Sequence, residues 1–128
     1  MPRPGHFEIH VQDAERAMRF YGELFGWRFK KWDGGAQPYW MVFTGEGPGI
    51  DGGLLPRRGP PPAPGQPVNA YPCTTEVPDL DRRLAAAASL GGAVVVPKIA
   101  IQGFAWVAYC TDTEGNIFGM LENDPSAK

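Results

Sequence analysis

Three side chains able to move protons or hold a ligand stand on one face of the first strand. The run His6-Phe-Glu-Ile-His-Val11 alternates strictly between polar and apolar residues, the pattern of a strand with two unlike faces. Phe7, Ile9 and Val11 form the apolar face; His6, Glu8 and His10 form the polar one. With Glu76 from later in the chain, two carboxylates and two imidazoles held in one confined space would shift one another's proton affinities, as acid–base chemistry requires. Glu8 is the candidate general base, with His6 or His10 as its partner. The bland alternative is that Glu8 pairs with an arginine and only closes one end of the sheet. As metal donors the three are constrained. At about 3.3 Å of rise per residue, His6 and His10 are roughly 13 Å apart along the strand, too far to share an ion bound at about 2 Å. His6 with Glu8, or Glu8 with His10, are the pairs able to share one.

The elements that position these residues occur twice. His6 to Trp27 reads strand, Asp13, helix, Gly26 and a second strand. Pro72 to Val94 reads the same way, with Asp79 before its helix and Gly91-Gly92 after it. The interval from Asp13 to Gly26 equals that from Asp79 to Gly92, so one supersecondary unit is present in two copies. Two such units facing each other enclose a groove, the usual place for a small molecule. Asp13 and Asp79 are N-caps for helices over 14–25 and 80–90, and Gly26 ends the first. Ala17, Phe20, Tyr21, Leu24 and Phe25 give the first helix one buried stripe; Leu80, Leu84, Ala87 and Ala88 give the second a smaller one. Strands follow over 27–32, 39–43 and 52–55 in the first copy. In the second they fall at 73–77, 93–101, 104–110 and 117–122, with Pro97 implying a bend or an edge position.

Between the copies, Pro56 to Pro67 holds six prolines, Arg57, Arg58 and two glycines, which excludes helix or central strand. It reads as an extended linker between module one (5–55) and module two (68–122) of a single domain spanning 1–128. The tail from Asn123 is expected to fray. Cys73 and Cys110 lie in apolar, strand-like runs without metal-site spacing and are expected to be buried, reduced thiols. The net charge of −2 leaves no electrostatic footprint for nucleic acid. No apolar run approaches the ~18 residues of a membrane span, and none follows Met1 that would serve as a signal peptide. A cytoplasmic protein is the expectation.

Several local motifs carry a resemblance. Phe20-Tyr21-Gly22-Glu23-Leu24-Phe25-Gly26-Trp27, the pair Gly91-Gly92 followed by Val94-Val95-Val96-Pro97, and the turn Asp112-Thr113-Glu114-Gly115-Asn116 occur in this order and spacing. Together they resemble the vicinal oxygen chelate superfamily, which holds glyoxalase I, bleomycin resistance proteins and extradiol dioxygenases. The resemblance implies an α+β fold of two tandem strand–helix–three-strand modules, forming a curled mixed sheet with a central cavity and the helices outside. His6, Glu8 and His10 would line the cavity. By the repeat, Pro72, Thr74 and Glu76 take the matching positions in module two. Ile117, Gly119 and Leu121 would face inward, with Phe118 and Met120 toward the helices. Trp40 and Trp106 are the aromatic candidates for a ligand-binding wall, in competition with Tyr39 and Phe104. Glu122 falls on the non-cavity face and is expected to be solvated.

The resemblance also frames the metal question. Metal-dependent relatives take ligands from the first and last strands of each module. His6 matches the first ligand position. Its counterpart before Asp79 is Pro72, the last-strand position is Gly119, and the module-one equivalent falls among Gly52 to Leu55, none of which supplies a donor side chain. A divalent metal is therefore disfavoured, with Glu8 and Glu76 as the donors that would have to rescue one. The leading expectation is a glyoxalase-like protein that binds a small organic molecule without the family metal, with Glu8 as the base of a lyase- or isomerase-type reaction. The alternatives are a non-catalytic protein that sequesters a drug or metabolite, as bleomycin resistance proteins do, and a metal-dependent lyase or dioxygenase. The resemblance further implies a homodimer.

Overall fold

In the computed structural model, which describes residues 3–128, the first alternating run forms strand β1 (His6–Val11). Met1 and Pro2, where the signal-peptide reading begins, lie outside the described residues. Helix α1 (Ala14–Phe25) starts at Asp13, whose carboxylate accepts from the Arg16 amide at 3.1 Å, and stops at Gly26 in the left-handed conformation. Strands β2 (Arg28–Trp32), β3 (Tyr39–Phe43) and β4 (Asp51–Pro56) complete the first module. The sheet order is β1-β4-β3-β2, with β1 parallel to β4 and the other pairs antiparallel.

The apolar face of β1 packs as its alternation requires. Val11 joins Ala17 of α1, Val42 and Leu54 in a buried cluster, against which Phe7, Ile9, Phe29 and Trp40 pack. Trp27 stacks on Tyr21 with ring centroids 5.2 Å apart and meets Phe7 at 5.6 Å and Phe25 at 5.0 Å. Glycine matters at the β1–β4 seam. A Cβ on Gly52 would run into the Phe7 carbonyl and stand 2.7 Å from the Phe7 ring. Because one of the obstructions is backbone, Gly52→Ala is expected to force β1 and β4 apart and cost about 1–3 kcal/mol, read as a lower urea midpoint.

The second module comprises β5 (Thr74–Glu76), α2 (Leu80–Ser89), β6 (Ala93–Ile101), β7 (Ala105–Thr111) and β8 (Ile117–Asn123), in sheet order β5-β8-β7-β6 with β5 parallel to β8. Two open, mixed, four-stranded sheets and two helices thus make the α+β architecture. Phe118 and Met120 are buried, as are Ala108 and Cys110 opposite them on β7. In α2, Leu80 and Ala87 are buried, while Ala88 turns out of the stripe and is exposed. Strand β6 lies at the edge, and its register against β7 shifts between Val96 and Ile99, across Pro97, which has no amide to donate. The chain divides into two compact units within the proline-rich stretch, after Pro61. Arg57 ties that stretch to the end of β1, donating to the Gln12 side chain at 2.8 Å and the His10 carbonyl at 3.0 Å.

Four expectations are corrected here. Cys73 is exposed, because β5 begins only at Thr74; Cys110 is buried, and burial raises its thiol pKa. Glu122 is not solvated: its Oε1 accepts from the Leu80 amide at 2.7 Å and caps α2 from β8. Asp79 occupies the cap position without capping; its Oδ1 lies 3.0 Å from Arg83 Nε, at ion-pair distance but without hydrogen-bond alignment. The tail is docked. The Asp124 amide bonds the Phe104 carbonyl, the Gly103 amide bonds the Ala127 carbonyl, and Ala127 is buried. Hydrogen bonds from the Ser126 hydroxyl and the Trp106 indole hold the Asp124 carboxyl below its ordinary pKa. Among the described residues, no helix is long and apolar enough to cross a membrane.

Candidate functional site

On the face of the first sheet turned away from α1, β1 presents His6, Glu8 and His10, all exposed. Register sets their neighbours: His6 lies beside Asp51, Glu8 beside Gly53, and Gly53 beside Met41 of β3. Gly53 has no side chain, and Tyr39 uses that room. A Cβ at Gly53 would collide with the Tyr39 hydroxyl and ring. The hydroxyl thereby crosses over β4 to reach β1. It lies 2.9 Å from His6 Nε2 and donates to Glu8 Oε2 at 3.4 Å; His6 Nε2 and Glu8 Oε2 are 3.9 Å apart. Which of His6 Nε2 and the hydroxyl donates across the 2.9 Å contact is set by the imidazole tautomer. The result is a continuous chain from imidazole through phenol to carboxylate.

Burial raises the Tyr39 pKa above its ordinary value, and the adjacent Glu8 carboxylate raises it further, by its charge and by its hydrogen bond. Tyr39 is therefore a phenol at neutral pH, a donor rather than a phenolate. Trp32 stands edge-on to it, with ring centroids 6.0 Å apart, and is 49% exposed. The arrangement can accept a proton at Glu8, donate one from His6 or Tyr39, and offer an aromatic surface at Trp32. Tyr39 entered the sequence reading only as a rival to Trp40 for the binding wall, and Trp32 had no place in it. The available signal was the pair Gly52-Gly53 inside a strand, which marks a close approach by another group.

Trp40 and Trp106 lie on the helix sides of their sheets. Trp40 is paired with Leu54 and packs on the Val11–Ala17–Val42–Leu54 cluster. Trp106 is paired with Glu122, the residue that caps α2; its Nε1 donates to Asp124 at 2.9 Å, and the Lys98 amine stands 4.8 Å from its ring. Phe104 lies outside the strand and is exposed. In the second sheet, Thr74 pairs with Gly119 and Glu76 with Leu121, and both Thr74 and Glu76 are exposed. The pattern of the first sheet recurs here. A Cβ on Gly119 would stand 2.6 Å from Thr74 Oγ1 and 3.1 Å from the Tyr109 ring. The Asp112–Asn116 turn that precedes β8 is structural: Asp112 Oδ1 accepts from the Glu114 and Asn116 amides at 2.8 and 2.9 Å.

The residues at the metal-ligand positions that the resemblance implies do not fit a metal. Glu8 pairs with Gly53 as Thr74 pairs with Gly119, so Gly53 is the module-one counterpart of Gly119. Neither glycine has a donor, and each is overlaid by a tyrosine. Pro72 has none either. His6 Nε2 is engaged by Tyr39. Among the described residues, no three His, Cys, Asp or Glu side chains cluster as a metal site would require.

Solved structures share this fold across nearly the whole chain. A glyoxalase family protein from Bacillus cereus superposes with a TM-score of 0.72 at 18% identity, covering 96% of this chain and 95% of that one. The fosfomycin resistance protein FosX from Listeria monocytogenes gives 0.72 at 12% identity, covering 97% and 95%. TnmS3, an antibiotic binding protein from Streptomyces sp. CB03234, gives 0.65 at 24% identity, covering 97% and 98%. What this chain shares with these structures is the fold. Residues 4–37 match the family model described as bleomycin resistance protein-like N-terminal. Among curated proteins, none matches the sequence.

Proposed function

We propose that the face of the first sheet bearing His6, Glu8, His10 and Tyr39 binds a small organic molecule without the family metal, and that Glu8 serves there as the base of a lyase- or isomerase-type proton transfer. The observation that carries this reading is the hydrogen-bonded chain from His6 through Tyr39 to Glu8. It provides an acceptor and two groups able to donate within 3.9 Å of one another, the minimum set for moving a proton on a bound ligand. Trp40 and Trp106 support the sheets from behind, and Trp32 supplies the aromatic surface. The protein is proposed to act in the cytoplasm as a homodimer of two-module domains.

A second reading is sequestration without chemistry. It is favoured by the exposed Trp32 ring set edge-on to Tyr39, a surface suited to stacking an aromatic ligand, and by the antibiotic-binding role of TnmS3, which shares the fold. Both readings are tested by thermal-shift screening of an organic-molecule library against the wild type and Tyr39→Phe. A hit at this site is expected to stabilise the wild type and to lose most of its shift in the variant, about tenfold in affinity for one hydrogen bond of ~1.4 kcal/mol. Hits that stabilise both proteins equally would place the ligand elsewhere. Incubating a hit with enzyme and following it by mass spectrometry separates turnover from sequestration.

A further inference from the structure

We infer that the Tyr39 hydroxyl, lodged over Gly53 and joined to His6 and Glu8, takes the room of a metal-ligand side chain and excludes a divalent ion from the face of the first sheet. This rests on the reading of that face as the ligand site and supplies the physical reason it would work without metal.

Three observations converge. First, position 53 lies beside Glu8 on the adjacent strand, on the same face as His6. A donor side chain there would bring the protein ligands around His6 and Glu8 to three, the number that holds catalytic zinc. Second, that side chain is absent and its volume is filled: the Tyr39 hydroxyl and ring occupy the space into which a Cβ would project. Third, the tyrosine also engages the atom an ion would need. His6 Nε2 lies 2.9 Å from the hydroxyl, and whichever of the two donates, an ion binding that nitrogen must first break the contact. An ion approaching His6 and Glu8 must displace the phenol, break both of its hydrogen bonds, and find no donor at position 53; the Asp51 carboxylate beside His6 is held by the Thr44 amide and hydroxyl.

The test uses zinc and nickel ions alone as probes on the full chain. Wild type, His6→Ala, Tyr39→Phe and the double variant Tyr39→Ala/Gly53→Glu are loaded, dialysed and analysed for metal, with circular dichroism confirming the fold. The expected result is no stoichiometric metal in wild type or Tyr39→Phe. Stoichiometric metal is expected in the double variant, lost again when His6→Ala is added. Stoichiometric metal in the wild type, abolished by His6→Ala, would overturn this inference and the metal-free reading together. A folded double variant that takes up no metal would overturn the inference alone, since removing the tyrosine and supplying the ligand would then not be enough. Should the double variant fail to fold, the hydrogen bond itself decides. His6 and His10 are the only histidines, so long-range 1H–15N spectra resolve both rings. Tyr39→Phe is expected to shift the His6 Nε2 resonance and leave His10 in place; an unmoved His6 would overturn the interlock.

Discussion

Glu8→Gln is expected to lower any turnover in which Glu8 takes a proton by about 100-fold or more, while leaving the melting temperature almost unchanged. The two halves of this expectation rest on different features. Glutamine keeps the shape and the acceptor oxygen of glutamate and can still accept from Tyr39, but it cannot hold a proton taken from a ligand. The stability term is small because the Glu8 side chain is 43% exposed and its contacts are long, 3.4 Å to Tyr39 and 3.9 Å to His6; exposed pairs of this kind contribute about 0–1 kcal/mol. The competing account, in which Glu8 holds the sheet together, predicts the reverse: a lower melting temperature with activity retained. Glu8 lies against His6 and Tyr39, where the structural account expects an arginine. The measurement is a rate on whichever screened ligand is turned over, paired with a thermal melt of the same preparation. An unchanged rate would remove Glu8 from the chemistry. Binding retained with no turnover in either protein would favour sequestration.

The site was half legible in the sequence, for reasons that are local. Strand alternation put His6, Glu8 and His10 on one face, and the structure keeps them there. Asp13 and Gly26 marked the ends of α1 because caps are set by neighbouring backbone groups. The bounds of β3 and β6 also followed from composition and turns. Tyr39 escaped because its partner lies 33 residues away and is reached only through a gap left on a third strand. No periodicity in β3 encodes a vacancy in β4. Glu122 failed in a similar way. Its parity gave the right face, but on that face stands the N-terminus of α2, with free amides that Asp79, turned toward Arg83, does not satisfy. Cys73 was misplaced by a one-residue error in the start of β5. The tail was read from its position in the chain; burial of Ala127 and the hydrogen bonds at Asp124 show that backbone contacts decide such cases.

Phe20→Ala is expected to cost about 3–5 kcal/mol of folding stability, the largest effect of any single change considered. Phe20 is 2% exposed and lies in the buried stripe of α1 with Ala17, Tyr21 and Leu24. Its ring meets Tyr21 edge-on at 5.1 Å, and Tyr21 in turn stacks on Trp27, which touches Phe7 of β1. Truncation leaves a cavity in a place where neighbours are already committed to other contacts, so collapse recovers little. The loss reaches the site because the same packing holds β1. Phe7 and Ile9 are pressed toward α1, and the alternation of the strand then turns His6 and Glu8 the other way. Urea unfolding of Phe20→Ala should therefore show a lower midpoint. Under native conditions, amide exchange should quicken along β1 first, and the His6 ring resonance should drift from its wild-type position. Phe25→Ala, at a half-buried position in the last turn of α1, is expected to cost less. A loss below about 1 kcal/mol at Phe20, the range of an exposed position, would mean that α1 does not pack on the sheet through this stripe, and the orientation of the polar face would lose its support.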